Sequence, residues 1–208
     1  MLYFDYRSFI LLFFCFWFEP NYAQGDWKEV RNEQQIKVYT RTVKGYDIKE
    51  LKIIANFDAS AQSFVALLLD VASQPKYLFA CKHTELVQAK SKQEQIYYQQ
   101  VNMPWPLSDR DGYFQQISYS NQVNKAIVFE TKAVGHLYSI KSEYVRIPVL
   151  KATWTIQATS AKSIIGEYQV VIDPGGEVPA WLINLFIDRA PFETVLNMRK
   201  LLATGKYN

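Results

Sequence analysis

The hydrophobic period of this chain changes once, at Asp173-Pro174-Gly175-Gly176, and that change constrains the fold more than any other feature. Upstream, segments 84–89, 95–101, 110–118, 125–132, 144–147, 153–159 and 166–172 are rich in Val, Ile, Tyr, Phe and Thr. Turn residues such as Ser91, Asn121 and Gly135 separate them, as expected of successive strands. Connections this short fit an antiparallel meander, because parallel strands need longer, usually helical, crossovers. Downstream, Trp181, Leu182, Leu185 and Phe186 fall on one helical stripe, continued by Val195, Leu196, Met198 and Leu202. Pro191 offers no backbone donor, so a kink or a fresh start is expected there. The implied class is α+β: an antiparallel sheet closed by one long C-terminal helix.

Earlier segments complete this outline. Ile36, Val38 and Thr40 alternate with Lys37, Tyr39 and Arg41, the period of a half-buried strand. Gly45-Tyr46-Asp47 marks a turn, and 48–57 reads as the next strand. Ser60 is placed to cap a helix carrying Phe64, Leu67, Leu68 and Val71 at helical spacing. Pro75 is expected to interrupt that helix, with an aromatic segment at 77–79 beyond it.

The N-terminus reads as a targeting segment. Arg7 precedes an unbroken apolar run of ten residues, Phe9 to Phe18, which Glu19-Pro20 ends. Ten residues are too few for a membrane-spanning helix, which needs about 20. The pattern fits a signal peptide over 1–23, cleaved after Ala23, and hence export to the periplasm or cell exterior. Residues 24–208 then form a single domain, long enough to bury roughly 70% of its unfolded surface. Losing Arg7, Asp5 and Glu19 leaves 22 basic and 18 acidic residues, spread without clusters, which excludes a nucleic-acid surface. Cys81 is then the single cysteine, so no intrachain disulfide forms.

No catalytic cluster stands out. His83 and His136 lie far apart with no other ligand at metal spacing, and both read as surface residues. There is no G-x-S-x-G elbow or phosphate loop; Gly175-Gly176 follows Asp-Pro and reads as a turn. Two rigid corners stand out instead: Pro104-Trp105-Pro106-Leu107-Ser108-Asp109-Arg110-Asp111, and Asp173 to Trp181. In a strand starting at Arg110, alternation sends Arg110, Gly112, Phe114, Gln116 and Ser118 to one side. Asp111, Tyr113, Gln115 and Ile117 go to the other. A guanidinium sharing a face with Phe114 must find a partner. Either Arg110 pairs with Asp109 or a distant carboxylate and holds the corner, or it meets a ligand.

The segments PWPLSDRD (104–111), EYVRI (143–147) followed by Trp154, and DPGGEVPAWLINLF (173–186) together resemble the START lipid-binding domain family in its bacterial exported form. The resemblance spans about 27–205. It implies a helix-grip fold: a curved antiparallel sheet wrapped around the C-terminal helix, with an internal hydrophobic cavity between them. It also implies a lipid or other hydrophobic small molecule as partner, transfer between membranes with transient membrane contact, and no cofactor or metal. Oligomeric state is left open. The arginine of the family's R-D pair matches Arg110, and that of its V-R-I strand matches Arg146. Where some members carry another charge six residues beyond the first arginine, this chain has Gln116. At a position that is acidic in others it has Tyr97. Such neutral groups imply a weakly polar ligand end. Between V-R-I and Trp154, where glycine-like residues are usual, this chain has Pro148-Val149-Leu150-Lys151-Ala152.

The ligand-facing set is therefore Tyr97, Gln99, Arg110, Phe114, Gln116, Arg146, Trp181 and Leu185, with the last two one helical turn apart on the face turned to the cavity. The 135–139 loop and the Gly175-Gly176 turn are the candidate moving parts for ligand entry. An enzyme of the cyclase type, using Tyr97, Tyr98 and Arg110, is the competing reading; a filled core that binds nothing is the third.

Export with cleavage after Ala23 predicts a secreted chain beginning at Gln24, seen by intact-mass analysis of the culture or periplasmic fraction. A cytoplasmic chain retaining residues 1–23 contradicts it.

Overall fold

The computed structural model describes residues 26–43 and 49–208, and the side chains of 180, 181, 183–186 and 188 lie outside that description. The signal-peptide segment and the 45–47 turn also lie outside the described residues.

Three strands open the chain: β1 (Lys28–Glu33), β2 (Ile36–Thr42) and β3 (Lys49–Phe57). Helix α1 (Ala61–Leu69) starts as the sequence predicts, with the Ser60 hydroxyl accepting from the Ser63 amide. It ends before Pro75. A single 3₁₀ turn (Val71–Ser73) intervenes, and Pro75 sits in the first turn of a new helix, α2 (Gln74–Tyr77). Proline thus opens a helix here, where its missing amide costs nothing.

Seven strands follow: β4 (Cys81–Ala89), β5 (Glu94–Val101), β6 (Arg110–Ser120), β7 (Ile127–Ala133), β8 (Val145–Arg146), β9 (Val149–Ser160) and β10 (Ser163–Asp173). Helix α3 (Ala180–Ala203) closes the chain. Of the kink or fresh start expected at Pro191, the fresh start does not occur: one helix runs through it. Ala190 and Phe192 on either side are buried, so tertiary packing holds the helix across one missing hydrogen bond.

All ten strands join one curved sheet, ordered β1-β2-β3-β10-β9-β7-β6-β5-β4, open at β1 and β4. Every neighbour on that path is antiparallel. The exception to the expected meander is β8, which pairs in parallel with the start of β6. Its place is available because β7 stops at Ala133, opposite Phe114, leaving Arg110 and Asp111 uncovered on that side.

One apolar cluster fills the space between β2, β3, β9, β10, α1 and the C-terminal half of α3. Ile36, Val38, Ile53, Phe57, Phe64, Ile156, Ile164, Val195 and Met198 are its buried members. Trp154 and Phe64 cross edge to face at 5.3 Å, and Trp154 lies 4.8 Å from Tyr168. A second, smaller cluster joins Val71, Tyr97, Phe114 and Ile147. Arg199 ties α3 to the sheet by donating to the carbonyls of Gln34, Gln35 and Asn56. At the chain end, Lys206 and Tyr207 both reach the Asp70 carboxylate beside α1.

Gly112 shows how tightly β6 is filled. A Cβ there would lie 2.2 Å from Cζ of Phe114, whose side chain is fully buried. Gly112→Ala should lower stability by about 1–3 kcal/mol, the usual cost of overpacking. Adding Phe114→Leu should relieve part of that loss, as read by chemical denaturation. Unchanged stability in the single variant contradicts this packing.

Candidate functional site

Strand register fixes which side chains share the concave face. Tyr97 stands opposite Phe114, Gln95 opposite Gln116, and Gln99 opposite Gly112. Gln116 neighbours Thr131, which neighbours Ala152, which neighbours Val170. Tyr168 pairs with Trp154 in the adjoining row. The alternation read from β6 is therefore the alternation observed, and Tyr97, Gln99, Phe114 and Gln116 fall on one wall.

That wall is apolar with a band of neutral polar groups. The Tyr97 and Phe114 rings lie 5.6 Å apart. Gln116 accepts from Gln95 at 2.7 Å. Gln99 donates to the Cys81 sulfur at 3.3 Å. Burial pushes the Tyr97 hydroxyl well above the usual phenol range, against a smaller opposing pull from the nearby Gln74 and Thr131 side chains. Burial alone raises the Tyr168 hydroxyl. Tyr168 nevertheless keeps accessible surface, and its hydroxyl has no hydrogen-bond partner among the described residues.

The two arginines are committed elsewhere. Arg110 is buried, and its guanidinium donates to the carbonyls of Ser108 at 2.6 Å, Gly175 at 3.1 Å and Pro174 at 3.4 Å. It holds the corner, as one reading of the sequence proposed, but through carbonyls and not through a carboxylate. Asp109 instead accepts from the Met103 amide and pairs with Lys82. Arg146 grips Asp111 with two bonds, 2.6 and 3.0 Å, on the opposite face of β6 from Phe114. It also donates to Gly135, Tyr138 and Ser139 carbonyls. Its guanidinium is thus aimed at the loop and away from the concave wall, a consequence of β8 docking beside Asp111.

Both candidate moving parts are consequently pinned. The 135–139 loop contains a 3₁₀ turn (Gly135–Leu137) held by Arg146, and the Pro174-Gly175 turn is held by Arg110. Gly175 and Gly176 both take positive φ, +72° and +65°. A Cβ on Gly175 would also lie 2.8 Å from the Arg146 carbonyl, so glycine is required there twice over.

The proposed enzymatic trio does not assemble. Tyr98 lies beside Tyr113 at 4.9 Å on the convex face, the opposite side from Tyr97, and Arg110 is occupied by carbonyls. His83 and His136 are exposed, and the described residues contain no metal-binding cluster. Trp181 and Leu185 lie in α3, but their side chains fall outside the described residues. A hollow of about 290 Å³ on the convex side is bordered by Gln115, Ile117, Glu130, Lys132, Lys151 and Thr153, and also touches Thr131 and Ala152 of the intervening positions.

Sequence reasoning did not single out Gln74, Thr131 or Tyr168. Thr131 and Tyr168 were available from register with Gln116 and Trp154. Gln74 sits in a four-residue helix, which has no periodicity to read.

The two corner segments, the open ten-stranded sheet and the closing helix are joined by comparison with known proteins. The START domain family model matches residues 19–206. The chain belongs to the START domain family. An uncharacterized protein of Pseudomonas aeruginosa is 27% identical over 179 residues, covering 86% of this chain and 88% of that one. The phosphatidylcholine transfer protein of Mus musculus is 23% identical over 171 residues, covering 80% and 78%. Among solved structures, the STAR-related lipid transfer protein from Xanthomonas axonopodis superposes with a TM-score of 0.78 at 30% identity, covering 85% and 98%. The helix-grip expectation is met: this START domain has the curved antiparallel sheet and the C-terminal helix.

The buried Arg146–Asp111 pair makes a clear prediction. Removing one partner with Arg146→Met should cost about 3–5 kcal/mol, because an unpaired carboxylate stays buried. Asp111→Leu added to it should restore much of the loss. Denaturation midpoints of the three proteins check this, and an unaffected single variant contradicts it.

Proposed function

We propose that this START domain binds one lipid or other hydrophobic small molecule between the concave wall and α3, and carries it between membranes after export. One observation carries the reading. Tyr168 lies deep enough for burial to raise its hydroxyl, yet the side chain keeps accessible surface and the hydroxyl goes unbonded. A hydroxyl that keeps accessible surface deep in the fold and has no protein partner fits a space that a guest fills better than a solid core.

Two further points support it. Among the described residues a small apolar cluster, separate from the main core, lies at Tyr97 and Phe114. Tyr97, Gln99, Phe114 and Gln116 border the smaller cluster and are the proposed ligand contacts, joined by Thr131 and Tyr168. Arg110 and Arg146 are assigned to the frame. The drive for binding is burial of apolar area at about 25 cal/mol per Å². The named relatives are lipid transfer proteins, which favours a carrier over an enzyme.

Native mass spectrometry of the protein purified from its own cells should show one bound lipid-sized molecule per chain. Phe114→Trp, which adds bulk on the wall, should lower that occupancy severalfold at retained secondary structure. A protein that is empty from its source and takes up nothing from lipid vesicles contradicts the proposal.

A further inference from the structure

Gln74 is the feature that the fold does not explain. It is 3% exposed, at the first position of α2, and its side-chain Oε1 meets no hydrogen-bond donor. Structural glutamines nearby behave differently: Gln95 and Gln116 satisfy each other, and Gln99 engages Cys81. Gln74 instead leans on the Tyr97 hydroxyl, which Thr131 also contacts. Tyr168 lies close enough to Tyr97 to influence its hydroxyl, and brings its own unbonded hydroxyl to the same wall. Neutral groups from α2, β5, β7 and β10 thus face the space beside Tyr97: Gln74 has a buried Oε1 without a donor, and register puts Thr131 and Tyr168 on the same concave face.

We propose that this group receives the polar end of the ligand, and that this end is an uncharged hydroxyl. The inference rests on the lipid-binding reading above and names its ligand class. The chemistry selects among lipid heads. Oε1 needs a donor, which an ester, ketone, carboxylate or phosphate diester lacks. A Tyr hydroxyl both donates and accepts. A ligand hydroxyl does both as well, so it supplies the donor that Gln74 lacks while still accepting from a neighbouring hydroxyl. An anionic head would need a cation on this wall. Arg110 is spent on three carbonyls, and Arg146 is on the other face bound to Asp111. The site therefore prefers a neutral lipid alcohol over its ester and over phosphatidylcholine, whose head carries no N–H or O–H donor, because a group built to hydrogen-bond a hydroxyl discriminates strongly against an analogue lacking it.

The test uses matched pairs. Purified protein is incubated with phosphatidylcholine vesicles holding equal amounts of 1,2-dioleoylglycerol and its 3-acetate, and in parallel a sterol and its 3-acetate. The re-isolated protein is then extracted and its lipid quantified. For at least one pair the free alcohol should load about tenfold over its acetate and over phosphatidylcholine. Gln74→Met should bring that ratio within about threefold of unity while total loading persists, and Tyr168→Phe should lower it independently. Should Gln74→Met not fold, the wild-type ratio and Tyr168→Phe decide. Equal loading of alcohol and acetate, or dominant phosphatidylcholine, overturns the hydroxyl assignment and leaves lipid binding standing. A protein that loads none of these lipids overturns both.

Discussion

The structure depends on two arginines at one corner. Arg146 and Asp111 form a bidentate pair that is almost wholly buried, and Arg110 one residue earlier spans three carbonyls from two segments. Together they join the start of β6, the short β8, the 135–139 loop and the turn that launches α3. Each of these is weak alone. A two-residue parallel strand has almost no ladder of its own, and a Pro-Gly-Gly turn has two residues at positive φ. Charge-assisted hydrogen bonds fix them because the alternative leaves ions and carbonyls buried without partners. The helix then leaves the corner in one direction, over the concave face.

This arrangement also decides where charge is absent. An arginine on the Phe114 face invites a role in gripping a ligand, but its donors are turned to the frame. The interior is left with amides and hydroxyls. In this chain the concave wall is neutral among the described residues, with Gln116 and Tyr97 on it.

Much of this was legible in the sequence, for identifiable reasons. The period change at Asp173 marks the sheet-to-helix boundary because strand and helix periodicities are incompatible. Alternation along β6 places Phe114 and Gln116 inward because a pleated strand allows nothing else. Ser60 is recognisable as a cap from its chemistry alone. What escaped was set by tertiary contact. The parallel pairing of β8 follows from where β7 stops. The continuity of α3 through Pro191 follows from burial on both sides. The partners of Arg110 are main-chain carbonyls, which carry no sequence signal. Gln74 was hidden because an unsatisfied amide is a property of its surroundings.

The central claim, that a lipid sits against the concave wall, is tested most directly by photolabelling with a lipid bearing a diazirine in its acyl chain, followed by peptide mapping. Neighbouring residues of one strand point to opposite faces, so the readout is sharp. The account predicts labels on Phe114, Gln116 and Tyr168, and none on Gln115, Lys132 or Glu167. Labels confined to the second set, around the convex hollow bordered by Gln115 and Lys132, would contradict it.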